Sequence, residues 1–338
     1  MIESVTEGLA ELVGEAVGPA PAVLDDESTA IALAALAEEG RRLDENARAR
    51  RTWASYQADW AHFTDWCTGV DLDPLPAAPS TVALYLTEAA RSFKVSTLRR
   101  RLAAISVVHQ GYGHPSPTTD AIVRTRMKGI ARDKADETVT RKAPAWGRDV
   151  RRMVADLADD PRGTRDRALL TIGFAGGFRR SELVGLDVAD VTETTDGLVV
   201  RIRRSKTDQE GTGRTIGIPY GSHPTSCPVR ALRAWRQINH DPSGPLFRRI
   251  HGRATLGERL ADRSVTLIVK DAAARIGLDP ADFAGHSLRA GFVTSAGDGG
   301  ASEAAIMEQT GHRSTKQLRD YMRDGRLFHN NAAAVTGL

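Results

Sequence analysis

The sequence predicts a mainly α-helical protein of two domains that carries one small antiparallel β-sheet. Three observations lead there. The chain has 338 residues, more than the ~100 to 200 of a typical single domain. Apolar residues recur every three or four positions along most of it, the period of a helix with one buried face. One stretch alone alternates with the period of a strand, Leu198, Val200 and Ile202 interleaving Val199, Arg201 and Arg203.

The elements follow in order. Residues 1 to 45 mix Ala, Glu, Gly and Pro, with one amphipathic helix conceivable around Ile31 to Leu43. Eleven acidic residues against two arginines give this segment a charge of −9, so with a total of +3 the remainder carries +12. It reads as a flexible acidic tail. Residues 46 to 132 form a helical domain. Its first helix shows Trp53, Tyr56, Trp60, Phe63 and Cys67 on one face, and a loop with Pro74, Pro76 and Pro79 follows. Ser80 and Ser96 are expected to cap the second and third helices, which run through Val82, Leu84, Tyr85 and Leu86, and Leu98, Leu102, Ile105 and Val108. A fourth helix spans roughly Asp120 to Ala131. Residues 133 to 145 are polar, end beyond a proline, and read as a linker. Residues 146 to 326 form the larger, helix-rich domain, in which Gly211 and Gly213 turn the alternating strand into Thr215 to Ile218. Residues 327 to 338, with Leu327, Phe328 and Ala332 to Val335, are expected to form a helix docking on a neighbouring protomer, or else to pack on their own domain.

Composition narrows the class. Apolar residues make up 41% and charged residues 26%, ordinary globular usage that argues against a disordered or coiled-coil chain. No run of about 18 apolar residues occurs and the N-terminus lacks the pattern of a signal peptide. Two cysteines, Cys67 and Cys227, are too few for a disulfide framework, so a cytoplasmic protein is expected. The basic body suits a nucleic-acid partner, because Lys and Arg neutralise phosphates and release counterions. Candidate DNA contacts are Arg48, Arg50 and Arg51; Arg99, Arg100 and Arg101; Arg124, Arg126 and Lys128; Arg141 and Lys142; and Arg203 and Arg204. The bland alternative is a set of solvated faces.

Four separated motifs carry the chemistry. They are Gly177-Phe178-Arg179-Arg180-Ser181-Glu182-Leu183, then Ser205-Lys206-Thr207 at the hairpin tip, then Gly285-His286-Ser287-Leu288-Arg289, and finally Gly311-His312 with Tyr321 nine residues after the histidine. Singly, each has an ordinary explanation. Arg179 could pair with Glu182 one turn away, a lone histidine is usually structural, Tyr321 lies among Leu318 and Met322 as a core residue would, and turns commonly carry lysine. Taken jointly in this order and spacing, they resemble the active-site boxes of the tyrosine recombinases and phage integrases. The helices from Trp53 to Ala131 resemble the DNA-clamping domain of that family, so the resemblance runs from about residue 46 to the end.

The resemblance implies a two-domain, C-shaped DNA clamp and a site-specific recombinase with catalytic residues Arg179, Glu182, Lys206, His286, Arg289, His312 and Tyr321. Tyr321 would attack a backbone phosphate to give a 3′-phosphotyrosine intermediate. Arg179 and Arg289 offer fork-shaped donors to the nonbridging oxygens, where displacement concentrates charge. They also favour ionisation of a tyrosine whose ordinary pKa is about 10. His286 would take the tyrosine proton, His312 would add a hydrogen bond, and Lys206 would protonate the leaving 5′ oxygen. The covalent link conserves the ester's energy, so no cofactor, metal or ATP is expected. Neither a Walker-type loop nor a two-metal carboxylate cluster is found. The implied partners are double-stranded DNA bearing specific sites and three further copies of the chain in a homotetramer, with an accessory protein conceivable and no membrane. Related alternatives are a type IB topoisomerase, a telomere-resolving enzyme and a cleavage-deficient DNA-binding regulator.

Overall fold

The computed structural model describes residues 50–135, 142–203 and 213–312, together with 314, 315, 318, 319, 321 and 322. The acidic tail and the segment 327 to 338 lie outside the described residues. The chain divides into two compact units, residues 1–139 and 140–338.

The first unit has four helices: α1 (Arg50–Gly69), α2 (Pro79–Ala89), α3 (Val95–Gly111) and α4 (Ala121–Asp133). The aromatic stripe of α1 turns inward as its period requires, with Trp60, Phe63 and Cys67 in one core with Tyr85, Leu86, Leu98, Ile105, Val108 and Val123. The helix starts differ from expectation. Ala78 and Lys94 occupy the N-cap positions of α2 and α3 without side-chain caps, so Ser80 and Ser96 lie inside their first turns. For α2 the reason is Pro79, whose fixed φ starts a helix and which needs no hydrogen-bond acceptor. Asp120 does cap α4, its carboxylate accepting from Ile122 N at 2.8 Å.

The second unit is built on helices α5 (Gly147–Ala155), α6 (Pro161–Ala175), α7 (Arg180–Gly185), α8 (Pro228–Arg236), α9 (Asp262–Arg275), α10 (Ser287–Asp298) and α11 (Glu303–Thr310). Leu169, Leu170 and Ile172 of α6 are fully buried at its centre. Strands β1 (Val191–Glu193), β2 (Gly197–Ile202) and β3 (Arg214–Pro219) form an antiparallel sheet in that order. Val200 pairs with Ile216 and Leu198 with Ile218, and their inward phase joins the core. A second hairpin, β4 (Arg248–His251) with β5 (Thr255–Arg259), corrects the expectation of a single one. Its sequence, Arg-Arg-Ile-His, lacks the apolar alternation by which strands are recognised.

One close approach positions α10. Ala145 N donates to Ser287 O at 2.9 Å, and a Cβ on Gly291 would stand 1.7 Å from Ala145 O. Only glycine lets that segment lie against the helix carrying the His-x-x-Arg motif.

Candidate active site

Three local structures converge on one cluster. The first is the start of α7. Arg179 occupies its N-cap, and Glu182 closes a capping box by accepting from Arg179 N at 2.9 Å. The same carboxylate holds the guanidinium, Arg179 Nη1 donating to Oε1 at 2.6 Å. The local pairing foreseen for Arg179 therefore exists, and it fixes the side chain within the cluster rather than removing it. Glu182 itself is buried.

The second is the first turn of α10, which places His286 at the N-cap and Arg289 one turn in. Arg289 is 2% exposed. Its Nη1 donates to Gly177 O at 2.7 Å and Thr310 O at 2.6 Å, while its buried Nη2 has no hydrogen-bond partner among the described residues. Burial first, and then the charge of Arg179, pull this guanidinium down to about 9. It remains a cation at neutral pH, and among the described residues it pairs with no carboxylate, feeling the charge of Glu182 only at a distance.

The third is the end of α11. Gly311 takes the left-handed conformation, φ 66°, that terminates the helix and turns the chain toward His312. Arg179 Nη2 reaches Gly311 O at 3.4 Å, so the two arginines bind the successive carbonyls of Thr310 and Gly311. Thr310 Oγ1 donates to Ile306 O and lies 2.6 Å from His312 Nδ1. With the hydroxyl hydrogen so used, Nδ1 carries the proton and the neutral ring presents its lone pair on Nε2. Burial, Arg289 and Arg179 lower His312 to about 3. Desolvation followed by Arg289 and Arg179 also lowers His286, although the residue is exposed to solvent. Both histidines are neutral at pH 7.

Tyr321 is helical and half-buried. It packs with Leu318 and Met322 against Val293 of α10 and Ile306 of α11, so the core-like surroundings and the proximity to the cluster are both real. The charge of its ionised oxygen would be felt by Arg289. The structure thus gathers Arg179, Glu182, His286, Arg289, His312 and Tyr321, whereas Lys206 lies outside the described residues. One member had not been anticipated. Arg214, the first residue of β3, donates from Nη2 to Glu182 Oε2 at 3.2 Å. The signal was available, because Arg214 falls in the same inward phase of β3 as Ile216 and Ile218.

The proposed DNA contacts separate into groups. Arg99, Arg124 and Lys128 are exposed. Arg100 is half-exposed but clamped to Asp59, Nε to Oδ2 at 2.6 Å. Arg101 is a correction: at 5% exposure it is part of the helical core, because it falls on the apolar stripe of α3 between Leu98 and Ile105. Arg126 is tied to Thr87 and to Ala83 O, Lys142 donates to Ala281 O at 2.7 Å, and the exposed Arg203 pairs with Asp187 and Asp190. Arg48, Arg141 and Arg204 lie outside the described residues, as do the side chains of Arg50 and Arg51.

Residues 147–326 match the family model described as the phage integrase family. An integrase/recombinase xerD homolog from Selenomonas ruminantium is 40% identical over 303 residues, 88% of this chain and 88% of its own length. This chain belongs to the phage integrase family. The integrase-family fold extends to solved structures. XerH site-specific recombinase in a post-cleavage complex with palindromic difH substrate superposes with a TM-score of 0.62 at 13% identity, covering 99% of this chain and 96% of that one. A lambda integrase tetramer bound to a Holliday junction gives 0.52 at 16% identity, covering 84% and 76%. The chain is a tyrosine recombinase, an enzyme of site-specific DNA recombination. Among the described residues no group of three or more His, Cys, Asp or Glu could hold a metal ion, and no helix is long and apolar enough to cross a membrane.

Proposed function

We propose that the cluster is the phosphate pocket in which Tyr321 opens one DNA strand, and that the sites so cut are exchanged within a homotetramer of this chain. The reading is carried by Arg289. A buried guanidinium nitrogen without a partner among the described residues, beside a second arginine and two neutral histidines, is costly unless an anion enters. A scissile phosphate supplies that anion, and Arg179 and Arg289 hold its nonbridging oxygens. Tyr321 attacks phosphorus and the 5′ oxygen leaves, so the strand is joined to the protein through a 3′-phosphotyrosine bond that religation reverses.

His286, kept neutral by desolvation first and then by its cationic neighbours, accepts the phenol proton. His312 Nε2 takes up a proton once the phosphate offsets the arginine charges, and then donates to it. Glu182 holds Arg179 in place. Lys206 is assigned the proton for the leaving oxygen on the strength of the sequence motif alone. Arg99, Arg124 and Lys128 are assigned to the DNA backbone by their exposure and charge. The fold shared with a lambda integrase solved as a tetramer on a Holliday junction supports the assembly.

The test is single-turnover reaction with a nicked suicide duplex bearing the cognate site. Wild type should accumulate a covalent adduct in excess chelator, and Tyr321→Phe should bind the duplex within a few-fold yet form none. An adduct formed by Tyr321→Phe would sink the assignment of the nucleophile.

A further inference from the structure

Arg214 is a cation that no motif announces. It enters the cluster from the sheet, being the first residue of β3, and its side chain is 18% exposed. Nη2 contacts Glu182, and a Cβ on Gly311 would stand 1.9 Å from Nη1. The guanidinium therefore lies between the buried carboxylate and the turn that presents His312. Its Nε is buried without a hydrogen-bond partner among the described residues. Arg289 and His312 both feel its charge.

Charge bookkeeping shows what it does there. Three guanidiniums, Arg179, Arg214 and Arg289, face the single carboxylate of Glu182, while the neighbouring Arg180 is turned onto Thr266 Oγ1 at 3.0 Å. The fixed charges of these four groups sum to two positive, before the protons that His286 and His312 take up during the reaction. A phosphodiester carries one negative charge and an attacking phenolate adds another, so the group in transit at phosphorus is dianionic. Without Arg214, Glu182 at 2.6 Å would cancel most of Arg179, and one positive charge would remain.

We propose that Arg214 is a positioning residue for strand cleavage, pairing with Glu182 so that the carboxylate holds Arg179 in place without neutralising the pocket. This rests on the assignment of the pocket and of Tyr321 given above.

The experiment compares wild type, Arg214→Ala and Arg214→Lys in single-turnover cleavage of two nicked suicide duplexes. One has an ordinary scissile phosphate, the other a methylphosphonate, which lacks one nonbridging charge. Removing a donor that touches an oxyanion typically costs about 10²- to 10³-fold, so a residue one contact away should cost roughly 10- to 100-fold on the ordinary duplex. Lysine, which keeps the charge, should restore most of the rate. On the methylphosphonate the gap between wild type and Arg214→Ala should largely close, because less positive charge is called for. A packing role would leave that gap unchanged. If Arg214→Ala fails to fold, Arg214→Gln takes its place.

The proposal is overturned if the neutral variant cleaves the ordinary duplex at the wild-type rate, if the gap is equally wide on both substrates, or if lysine is as slow as alanine. Arg179→Ala is run alongside. Should it also cleave normally, the pocket assignment itself has failed; should it be dead while Arg214→Ala is unimpaired, only the role of Arg214 is lost.

Discussion

Arg101 in the helical unit and Arg289 in the catalytic unit are the same side chain at nearly the same depth, 5% and 2% exposed. Their surroundings are opposite. Arg101 has Asp59 as a counter-charge, Nε to Oδ1 at 3.6 Å. It donates to Tyr85 Oη at 2.8 Å and to His62 Nδ1 at 3.0 Å, and it lies 3.7 Å from the centre of the Phe93 ring. Each keeps one buried nitrogen without a hydrogen-bond partner among the described residues, Nε in Arg101 and Nη2 in Arg289, but Arg289 touches two carbonyls and no described carboxylate and sits among other cations. A buried charge with its own counter-ion is part of the fold. A buried charge supplied only with neutral acceptors is a site for an anion that arrives later.

That contrast predicts different losses. The largest falls on stability in the helical unit. Arg101→Met should destabilise by about 3 kcal/mol, because it strands the polar groups of Tyr85 and His62 and leaves Asp59 to Arg100 alone. The folded fraction should still cleave normally; chemical denaturation with a parallel cleavage assay checks both.

A smaller effect is expected in acid. His312 is held at about 3, against an unfolded imidazole near 6.5. Below about pH 6.5 the unfolded chain takes a proton that the folded one refuses, so stability falls as pH drops from there toward 3, by at most roughly 1.4 kcal/mol per pH unit for this one group. His312→Gln should therefore flatten the decline in melting temperature between pH 6.5 and 4.5. An unchanged decline would place its source elsewhere, with His62 and His109 of the helical unit, both lowered chiefly by burial, as the next candidates.

The smallest effect distinguishes exposed arginines from the buried one. Arg99→Ala, Arg124→Ala and Lys128→Ala should each reduce the slope of log K against log salt by about 0.9. Arg101→Met should leave that slope alone. A full-unit drop for Arg101→Met would restore it to the DNA contacts.

Much of this was legible in the amino-acid sequence, and the failures have physical causes. His286, Arg289, His312 and Tyr321 could be placed together because each lies at a fixed offset within a short motif, although they come from three separate local structures. Arg101 was misplaced because three consecutive residues on a helix point about 100° apart and cannot share a face. Its spacing from Leu98 and Ile105 marks it as the inward one. Arg214 was missed although an arginine in the apolar phase of a strand must find a buried counter-charge. That partner, Glu182, lies 32 residues away on another element, and such distances are set by tertiary packing. The hairpin of β4 and β5 left no period to detect, since Ile250 is the sole buried residue of β4.

The central claim is that Arg289 is kept for the phosphate at a cost to the fold. Arg289→Met tests it most directly, with unfolding and suicide-duplex cleavage measured on the same preparation. Methionine fills similar volume without a charge; it gives up the hydrogen bonds to Gly177 O and Thr310 O, about 1 kcal/mol each, but also removes a buried charge whose burial costs more than that. The account predicts a variant at least as stable as wild type whose cleavage is slowed by about 10²- to 10³-fold or more. A variant that unfolds readily, with cleavage lost only in proportion to the unfolded fraction, would contradict it and make Arg289 a structural arginine like Arg101.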